Sequence, residues 1–508
     1  MTTALLLLAI WSRLPCLLWA AAPPGPGPFG STVRPQPVPG AARAQTPDGW
    51  TAGKLCEIDA ALNNTNATAA LQSAIDECGD RAEGGTVLVR NSLTLHTASL
   101  WLRSNLTFRV EAGSALVGTA TGVGDKVTDP TNLNVTDAPI VYTRRESVMM
   151  WAHAGLLNGG RCVKLKDPLV GWDDCAAWSK LENVVIEGGG TLDANAQGWF
   201  DDEQPGFVKQ ARPMMLDLLW IDGLTIRDLS IRRPGFWTVH PTFCDNVVVA
   251  NNSILTTGPN TDGCDPDSAW NVLIADNVFS TGDDCIAIKA GRDWSGRMVN
   301  ISTRNVLVER NVFKEGHGIS IGSETSGWVL DVEVRDATCD GTDKAVRIKS
   351  ARGRGGGVRN ATYRNIAGTA KEAISLSLHY DYTDVPTNDS ATPEIHDVLV
   401  QNLTVGATGS AVAVLERSSS DPGAVVSQQQ MTMAARLRNP ADEELESSSE
   451  NPLYLECLGL NDSLIDGVTF DQVRVTTAAT EDDDVFLANC SFCAGIADAS
   501  TDPAPCFL

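Results

Sequence analysis

Four short motifs combine acidic, imidazole and basic side chains that suit acid–base chemistry. They are Asn260-Thr-Asp262, Gly282-Asp283-Asp284, Gly316-His317-Gly318 and Arg347-Ile-Lys349. Paired carboxyl groups perform the two tasks of glycosidic cleavage, since one protonates the leaving oxygen and another activates water. Arg347 and Lys349 lie two apart in a strand pattern and project to the same side, where they suit a sugar carboxylate. The motifs therefore indicate cleavage of an acidic polysaccharide.

The adjacent carboxyl groups of Asp283 and Asp284 need a particular backbone to act together. In a strand they would point to opposite faces, whereas at a turn both can face outward. Their like charges would then raise the pKa of one of them. We therefore expect one carboxyl group of the cluster to be an acid and the others to be bases.

The elements that would position these motifs form a repeat of short strands. An Asn or Asp followed by alternating apolar residues recurs at Asn183, Asn246, Asn271, Asn305, Asp331 and Asp397. The starts from Asn246 to Asp331 are separated by 25, 34 and 26 residues, and two further short strands follow in several periods. Such a repeat indicates a solenoid, because one turn of chain cannot bury its own inward side chains. The sequence therefore predicts an all-β fold, a single-stranded parallel β-helix.

The spacing of the four motifs follows this repeat. Asp262 and Asp283 are 21 residues apart, Asp284 and His317 are 33 apart, and His317 and Arg347 are 30 apart. Each period of a solenoid advances by one strand layer, about 4.8 Å. We therefore expect three carboxylates, one imidazole and two cations to meet in one groove.

Composition divides the chain into segments. Residues 51–416 are assigned to the β-helix catalytic domain, 23–50 to an irregular lead-in rich in Pro and Gly, 417–451 to a flexible insertion, and 452–508 to the C-terminal end of the β-helix with a disulfide-rich tail. Apolar residues at helical spacing predict one helix, Ala69–Cys78, which we expect to cap the N-terminal end of the solenoid.

The N-terminus and the cysteines indicate export. Residues 1–22 are predicted to be a signal peptide with small residues for cleavage near Ala20–Ala22. Eleven N-x-[ST] sequons follow, and removal of Cys16 leaves twelve cysteines, an even number suited to disulfides. The partner of Cys264 stays open: Cys285, another cysteine, or none. We expect an extracellular or cell-wall protein that does not associate with a membrane once the signal peptide is removed.

The net charge of −24 limits the possible partners. It argues against binding to nucleic acid, which requires a basic face, and against adhesion to anionic membranes. It also opposes a polyanionic substrate at long range, but salt limits this effect to about 8–10 Å. Six cations fall in the turns of the predicted groove: Lys289, Arg292, Arg347, Lys349, Arg352 and Arg354. These local charges allow an acidic polysaccharide to bind.

The four motifs, in this order, resemble those of glycoside hydrolase family 28, the polygalacturonases. The resemblance covers about residues 69–414, and strings such as Gly258–Ser268 and Ser280–Gly291 are similar to the branch shared by plant and bacterial members. It implies a right-handed, pectin-lyase-like parallel β-helix. It also implies hydrolysis of the α-1,4-galacturonosyl linkages of pectin by direct displacement with water and inversion. We expect no metal ion, no cofactor and a monomer.

The resemblance also implies roles for the catalytic residues. Asp283 matches the general acid, and Asp262 and Asp284 match the pair that holds and activates the attacking water. His317 matches the histidine that tunes or shares the proton of the acid. Substrate-binding positions are Asn260, Arg347, Lys349 and a tyrosine, for which Tyr380 and Tyr382 both qualify and Tyr382 is preferred.

Other functions remain open on the same scaffold. The nearest alternatives are hydrolysis of rhamnogalacturonan or xylogalacturonan, and a catalytically inactive carbohydrate-binding β-helix. A pectate lyase is disfavoured, because the three Asp and one His suit hydrolysis and no calcium-loop pattern appears. His240 and Trp237 suit either core packing or substrate contact.

Overall fold

A computed structural model describes most of the chain between residues 53 and 498. The described residues are 53–90, 92–120, 137–165, 175–200, 212–380, 391–408, 455–458, 465–477, 488–491, 493–494 and 497–498. The predicted signal peptide, the lead-in, the insertion at 417–451 and Tyr382 lie outside the described residues, and these assignments stay predictions. None of the described helices is long and apolar enough to cross a membrane.

Nearly all of the regular structure is β. The strands are, in chain order, β1 Lys54–Glu57, β2 Gly85–Val89, β3 Thr94–Thr97, β4 Leu100–Trp101, β5 Leu106–Val110, β6 Ala115–Gly118, β7 Ile140–Arg145, β8 Val148–His153, β9 Leu157–Asn158, β10 Cys162–Leu165, β11 Cys175–Trp178, β12 Leu181–Glu187, β13 Thr191–Asp193, β14 Leu216–Leu219, β15 Ile221–Arg227, β16 Ser230–Arg232 and β17 Val239–Thr242. They continue with β18 Asp245–Ala250, β19 Ser253–Leu255, β20 Trp270–Ala275, β21 Val278–Ser280, β22 Ile286–Ile288, β23 Thr303–Glu309, β24 Val312–Phe313, β25 Ile319–Ile321, β26 Val329–Lys349, β27 Gly357–Ser377, β28 Glu394–Ala407, β29 Leu455–Leu458, β30 Ile465–Thr477, β31 Ala488–Ser491, β32 Cys493–Ala494 and β33 Ala497–Asp498. The helices are α1 Thr68–Cys78 and α2 Asp293–Val299, with 3-10 turns at Ala60–Leu62 and Gln197–Trp199.

The strands stack in three parallel rows, with one strand of each row in most coils. Row A runs through β1, β2, β5, β12, β15, β18, β20 and β23, and row B through β3, β6, β13, β16, β19, β21 and β24. Both rows continue in the long strands, row A in the first parts and row B in the following parts of β26, β27, β28 and β30. Row C runs through β4, β9, β14, β17, β22 and β25, then the last parts of β26 and β27, and then β29 and β31. Between β17 and β22, bridges at Cys264 and Asp267 continue row C. The fold is therefore a right-handed parallel β-helix, as predicted.

The repeated Asn and Asp residues have a backbone role. Asn246, Asn271, Asn305 and Asp331 all have left-handed backbone conformation, with φ between 51° and 56°. Short polar side chains tolerate this region better than other non-glycine residues do. Their amides also join successive coils, since Asn305 Nδ2 donates to Asn271 Oδ1 at 2.7 Å. The repeat in the sequence thus marks the bend into row A.

The interior contains aliphatic side chains and one ladder of buried asparagines. The backbone N–H of Asn252 donates to Asn277 Oδ1, and that of Asn277 donates to Asn311 Oδ1, each at 2.9 Å. Because buried polar groups cost free energy unless they are paired, this ladder can lie within the core. Phe279 and Phe313 stack beside it with ring centroids 5.7 Å apart.

The predicted helix is present as α1. Leu71 and Ile75 are fully buried, and the helix packs against β1, β2 and β4. A disulfide between Cys56 and Cys78 ties the end of the helix to β1. The helix therefore covers apolar residues of the first coils.

Four cysteines are not paired, although the even number of cysteines led us to expect disulfides. Cys244, Cys264, Cys285 and Cys339 are buried free thiols. Cys264 and Cys285 lie in neighbouring coils, where the Cys264 N–H donates to the Cys285 carbonyl at 3.1 Å, but their side chains pack into the core as small apolar groups. Burial raises the pKa of the Cys285 thiol to about 12, so it is an unreactive thiol.

Candidate active site

Row C carries the predicted site residues at its solvent-facing edge. Parallel pairing places Ser320 beside Arg347, and the bridge from Cys264 to Ile286 aligns the coils that precede them. The motifs that are far apart in the chain are thus in successive coils. Of the predicted residues, Asn260, Asp262, Asp283, Asp284, His317, Arg347 and Lys349 are joined by direct contacts or lie within electrostatic reach of one another.

Asp283 and Asp284 lie in the turn before β22, where both carboxyl groups face the same histidine. The backbone N–H of Asp284 donates to Asp283 Oδ1 at 2.8 Å, and the N–H of Asn260 donates to Asp283 Oδ2 at 3.1 Å. Both oxygens of Asp283 are therefore held by backbone donors. The Asp283 side chain is still 21% exposed, so a substrate can reach it.

His317 is placed by the two glycines that flank it. Gly316 and Gly318 have φ of 111° and 73°, a region in which a Cβ atom is strained, and a Cβ on Gly316 would lie 2.6 Å from the Asp283 carbonyl oxygen. His317 Nδ1 lies 3.1 Å from Asp283 Oδ1 and 3.6 Å from Asp284 Oδ1. Hydrogen bonding to Asp283, and then to Asp284, raises the pKa of His317 to about 9 despite its partial burial. His317 is therefore an imidazolium at neutral pH.

Asp284 is buried and surrounded by cations. Lys349 Nζ lies 2.7 Å from Asp284 Oδ2, Arg347 Nη1 lies 3.3 Å from Oδ1, and the Ser320 hydroxyl donates to Oδ1 at 2.8 Å. Burial alone would raise the pKa of Asp284, but Lys349, His317 and Arg347 together hold it well below its usual value. Asp284 is therefore a carboxylate throughout the neutral range.

The pKa of Asp283 is also lower than expected for an acid. Burial and the charge of Asp284 favour its neutral form, but the hydrogen bond from His317 outweighs them and lowers its pKa. The expectation that Asp283 or Asp284 has the raised pKa is therefore wrong for the free enzyme. The proton that the Asp283–His317 pair carries resides on the imidazole.

The raised pKa belongs to a second pair, Asp262 and Asp265. Both are buried, and burial, followed by the neighbouring carboxylates, raises the pKa of Asp262 well above its usual value. Asp262 Oδ1 and both oxygens of Asp265 accept no hydrogen bond within the described part of the chain. One proton shared between the two carboxyl groups accounts for both the raised pKa of Asp262 and the oxygens that lack a hydrogen bond.

Lys289 is the counter-ion of this pair. Its ammonium lies 3.9 Å from Asp262 Oδ2, 3.8 Å from Asp265 Oδ1 and 3.0 Å from Glu324 Oε2, and it is 4.4 Å above the Trp237 ring. Three carboxyl groups thus surround one cation, so a proton is needed to limit the buried negative charge. Sequence reasoning missed Asp265 and Glu324, although Asp265 is three residues after Asp262.

Two candidate substrate-binding residues, Asn260 and Tyr380, lie at the rim of the site. Asn260 holds Asp283 through its backbone and accepts a hydrogen bond from Arg212 at 3.0 Å through Oδ1. Tyr380 places its ring 4.8 Å from Lys349 Nζ and 5.5 Å from the Arg347 guanidinium carbon. The alternative that the sequence left second, Tyr380, therefore lies at the site.

The cluster also has the geometry of a cation site. Donor atoms of Asp283, Asp284 and His317 lie within 4.8 Å of one another, the sole group of this kind among the described residues. However, Arg347, Lys349 and the His317 imidazolium already balance the two carboxylates. We therefore interpret this cluster as proton-transfer machinery.

Comparisons with known proteins agree on the family. The profile of the Glycosyl hydrolases family 28 matches residues 166–434. A probable polygalacturonase of Vitis vinifera is 30% identical over 269 residues, which are 51% of this chain and 55% of the relative. An endo-polygalacturonase of Pectobacterium carotovorum subsp. carotovorum is 30% identical over 363 residues, which are 69% of this chain and 80% of the relative. The chain thus spans about half the length of the grape relative and most of the bacterial one.

Solved structures show the same fold. A polygalacturonase from Erwinia carotovora ssp. carotovora aligns with a TM-score of 0.60 and 19% identity, covering 92% of this chain and 99% of that chain. An exopolygalacturonase from Thermotoga maritima aligns with a TM-score of 0.58 and 22% identity, and the alignment covers 82% of this chain and 89% of that chain. With a profile match over more than half of its residues and a 30% identical relative over most of its length, this chain belongs to glycoside hydrolase family 28.

Proposed function

We propose that this protein is a secreted polygalacturonase, which hydrolyses the α-1,4-galacturonosyl linkages of pectin. The observation that carries the proposal is the convergence in row C of an exposed Asp283–His317 pair with the cations Arg347 and Lys349. A proton source and a binding site for a sugar carboxylate are thus side by side. The names of two relatives, a probable polygalacturonase and an endo-polygalacturonase, support the same reaction.

Asp283 is the general acid in this proposal, and His317 supplies its proton. The pair Asp283 and His317 holds one proton at neutral pH, and their contact at 3.1 Å allows it to pass from His317 Nδ1 to Asp283. Asp283 then protonates the glycosidic oxygen as the bond to the anomeric carbon breaks. General acid catalysis of this kind contributes about 10²–10⁴-fold.

Asp262 and Asp284 hold the attacking water. Asp284 is a carboxylate because its cations keep it ionised, and Asp262 lies within electrostatic reach of it. Burial raises the pKa of both Asp262 and Asp265. In this proposal the shared proton resides on Asp265 during the attack, which leaves Asp262 ionised as a base. The water oxygen bonds to the anomeric carbon, one water proton passes to the base, and the product is inverted.

Arg347, Lys349 and Tyr380 bind the galacturonate carboxylate. The two cations are on the same side of β26, and the Tyr380 ring covers both. A guanidinium fork beside an ammonium suits a carboxylate ligand. This cation pair favours galacturonate at the cleavage site over the neutral sugar of a branched pectin.

The cellular setting is part of the proposal. The predicted signal peptide, the sequons and the disulfide between Cys56 and Cys78 support an oxidising, extracellular or cell-wall location. We propose a monomer. The net charge of −24 supports the proposal that it binds neither nucleic acid nor membrane. Mass spectrometry of the secreted protein would test the cleavage near Ala20–Ala22.

Product analysis on polygalacturonate tests the function. We expect new reducing ends, no 4,5-unsaturated product, and a newly formed anomer of inverted configuration by proton NMR. Unsaturated product would indicate a lyase, and turnover confined to xylogalacturonan or rhamnogalacturonan would indicate the sister activity. Binding to galacturonan without any turnover would contradict the proposal and indicate a catalytically inactive carbohydrate-binding protein.

A further inference from the structure

The outward positions of row C form a column that continues past the active site toward the N-terminus. Strand pairing aligns Asp217 with His240, and the next bridge places His240 beside Asp265. Exposure changes along this column. His317 is 37% exposed at the active site, whereas His240 and Asp217, in earlier coils, are 0% and 3% exposed. A substrate therefore cannot lie along the earlier coils.

The antiparallel hairpin β7–β8 covers these coils. Thr143 Oγ1 donates to Asp217 Oδ2 at 2.6 Å. Arg144 places Nε 3.2 Å from Asp267 Oδ2 and donates from Nη1 to Ser268 Oγ at 2.9 Å. Arg144 is fully buried, so the hairpin rests directly on row C without an intervening channel at these residues.

The tip of the hairpin is fastened to the coil that contains the general acid. Glu146 Oε2 lies 3.0 Å from Arg292 Nη1, and the Arg292 backbone N–H donates to the Ser147 carbonyl at 3.1 Å. Arg292 follows β22, which itself follows Asp283 and Asp284. The hairpin thus spans row C from the coil of Asp217 to the catalytic coil.

Arg212 extends this cover to the acid itself. Arg145 donates to the Arg212 carbonyl and stacks 3.9 Å above the Phe236 ring. Arg212 in turn donates to the Pro259 carbonyl at 2.6 Å and to Asn260 Oδ1 at 3.0 Å. Asn260 contacts Asp283, so one residue separates the cover from the acid, about one strand layer of 4.8 Å.

The opposite direction along row C is open at the described residues. Beyond His317, Asp343 is 31% exposed and its ion-pair partner Lys371 is 65% exposed. Arg347 and Tyr380 border the same side. Accessible surface is therefore on the C-terminal side of Asp283, and a sealed wall is on the N-terminal side.

We propose that this enzyme removes a short product from the end of a galacturonan chain and does not cut within the chain. The wall, defined as β7, β8 and Arg212, reaches the coil of Asn260, which is one strand layer of about 4.8 Å from the coil of Asp283. A chain that continued in this direction would meet buried side chains, whereas a chain end would fit. The inference rests on the proposed function, since it names the mode of attack at the same site.

The time course of products from polygalacturonate by the wild-type enzyme tests the inference. We expect a single product of one or two sugars from the first time points. The viscosity of the polygalacturonate solution should fall slowly compared with the rate at which reducing ends are released. A mixture of oligomers at early times, with a rapid fall in viscosity, would overturn it while leaving the hydrolase function intact. Absence of reducing-end release from any galacturonan would instead reject the function.

Substitution at the hairpin tip tests whether the wall closes the groove. Glu146→Ala removes the ion pair with Arg292 and should raise the fraction of longer oligomers among the products several-fold. Glu333→Ala is a matched control, because Glu333 forms its ion pairs with Arg335 and Arg364 in row A, away from the site. Identical product distributions for the two variants would contradict the role of the hairpin.

Discussion

Two histidines of row C have nearly the same surroundings and different properties. His317 lies 3.1 Å from Asp283 and 3.6 Å from Asp284, whereas His240 lies 3.7 Å from both Asp217 and Asp267. Burial would lower the pKa of His240, but the two carboxylates outweigh it and raise that pKa, as their counterparts do for His317. Each histidine thus lies between two carboxylates that favour its protonated form.

The difference between the two clusters is access to solvent. Arg144 and the hairpin β7–β8 seal His240, and Trp237 packs edge-on against it at 5.1 Å. The charged groups there pair with one another: His240 with Asp217 and Asp267, and Asp267 with Arg144. We therefore assign this cluster a structural role. The His317 cluster keeps exposed edges at which a substrate can replace solvent. Residue types alone therefore do not identify a catalytic site, because the cover over them decides their role.

Loss of the proposed general acid should produce the largest effect and separate the two clusters. Asp283→Asn keeps the size of the side chain but removes the group that receives the proton of His317. We expect turnover on polygalacturonate to fall about 10²–10⁴-fold with folding retained. Initial rates of reducing-end release, with thermal unfolding of both proteins, measure this. Turnover close to wild type would contradict the assignment of Asp283.

The sealed cluster should respond through stability. Asp267→Asn leaves the buried Arg144 guanidinium without its charged partner, which should lower the free energy of unfolding by about 3–5 kcal/mol. Denaturant unfolding measures the loss, and turnover per folded molecule should stay near wild type. If Asp267→Asn had the same free energy of unfolding as the wild type, the ion pair between Asp267 and Arg144 would not stabilise the fold.

Substrate affinity should depend on the cations of the open cluster. Lys349→Ala removes one ligand of the galacturonate carboxylate, a charged hydrogen bond worth about 1.5–3 kcal/mol. We expect KM to rise about 10- to 100-fold. Turnover should also decrease, because Asp284 loses its nearest cation. Lys314→Ala, at an exposed position, is the control, and unaltered KM and turnover in Lys349→Ala would refute the role of Lys349.

The pH dependence should reflect the raised pKa of His317. The folded-state value of about 9 exceeds the ordinary value of about 6.5. The imidazolium therefore stabilises the fold fully below pH of about 6.5, and this contribution is lost as the pH rises through about 9. Activity should decline over the same alkaline range. An alkaline limb of kcat/KM that is unchanged in His317→Asn would contradict this assignment.

The smallest expected effect concerns Asp265. Asp265→Asn removes a neighbouring carboxylate and offers an amide donor to Asp262, so the pKa of Asp262 should fall. The acid limb of kcat/KM should therefore move to lower pH. Asp193→Asn is a comparison variant from another buried ion-pair cluster, with Arg232 and Arg233, and should leave that limb in place. A shift to higher pH in Asp265→Asn would exclude the shared proton.

The sequence was sufficient for the fold because its signal is local and repeated. Asn246, Asn271 and Asn305 mark left-handed bends that recur once per coil, and the strands after them follow a period of two. The convergence of Asp283, His317 and Arg347 followed from the same period. Their catalytic roles remain predictions.

Features that depend on contacts between coils were missed. The hairpin β7–β8 interrupts the repeat, and its docking through Arg144 onto Asp267 joins residues more than 120 positions apart. The raised pKa was expected at Asp283 or Asp284, because their adjacency is visible in the sequence. The groups that reverse this effect are His317 for Asp283, and Lys349 and Arg347 of β26 for Asp284, and only the folded register places them there.

Matched substitutions of the two histidines test the central claim most directly. His317→Gln and His240→Gln should be compared for turnover per folded molecule on polygalacturonate and for free energy of unfolding. The account predicts that His317→Gln mainly loses turnover, with a stability loss limited to the contribution of its imidazolium, whereas His240→Gln mainly loses stability and keeps turnover. The opposite pattern, with turnover lost in folded His240→Gln and preserved in His317→Gln, would contradict it.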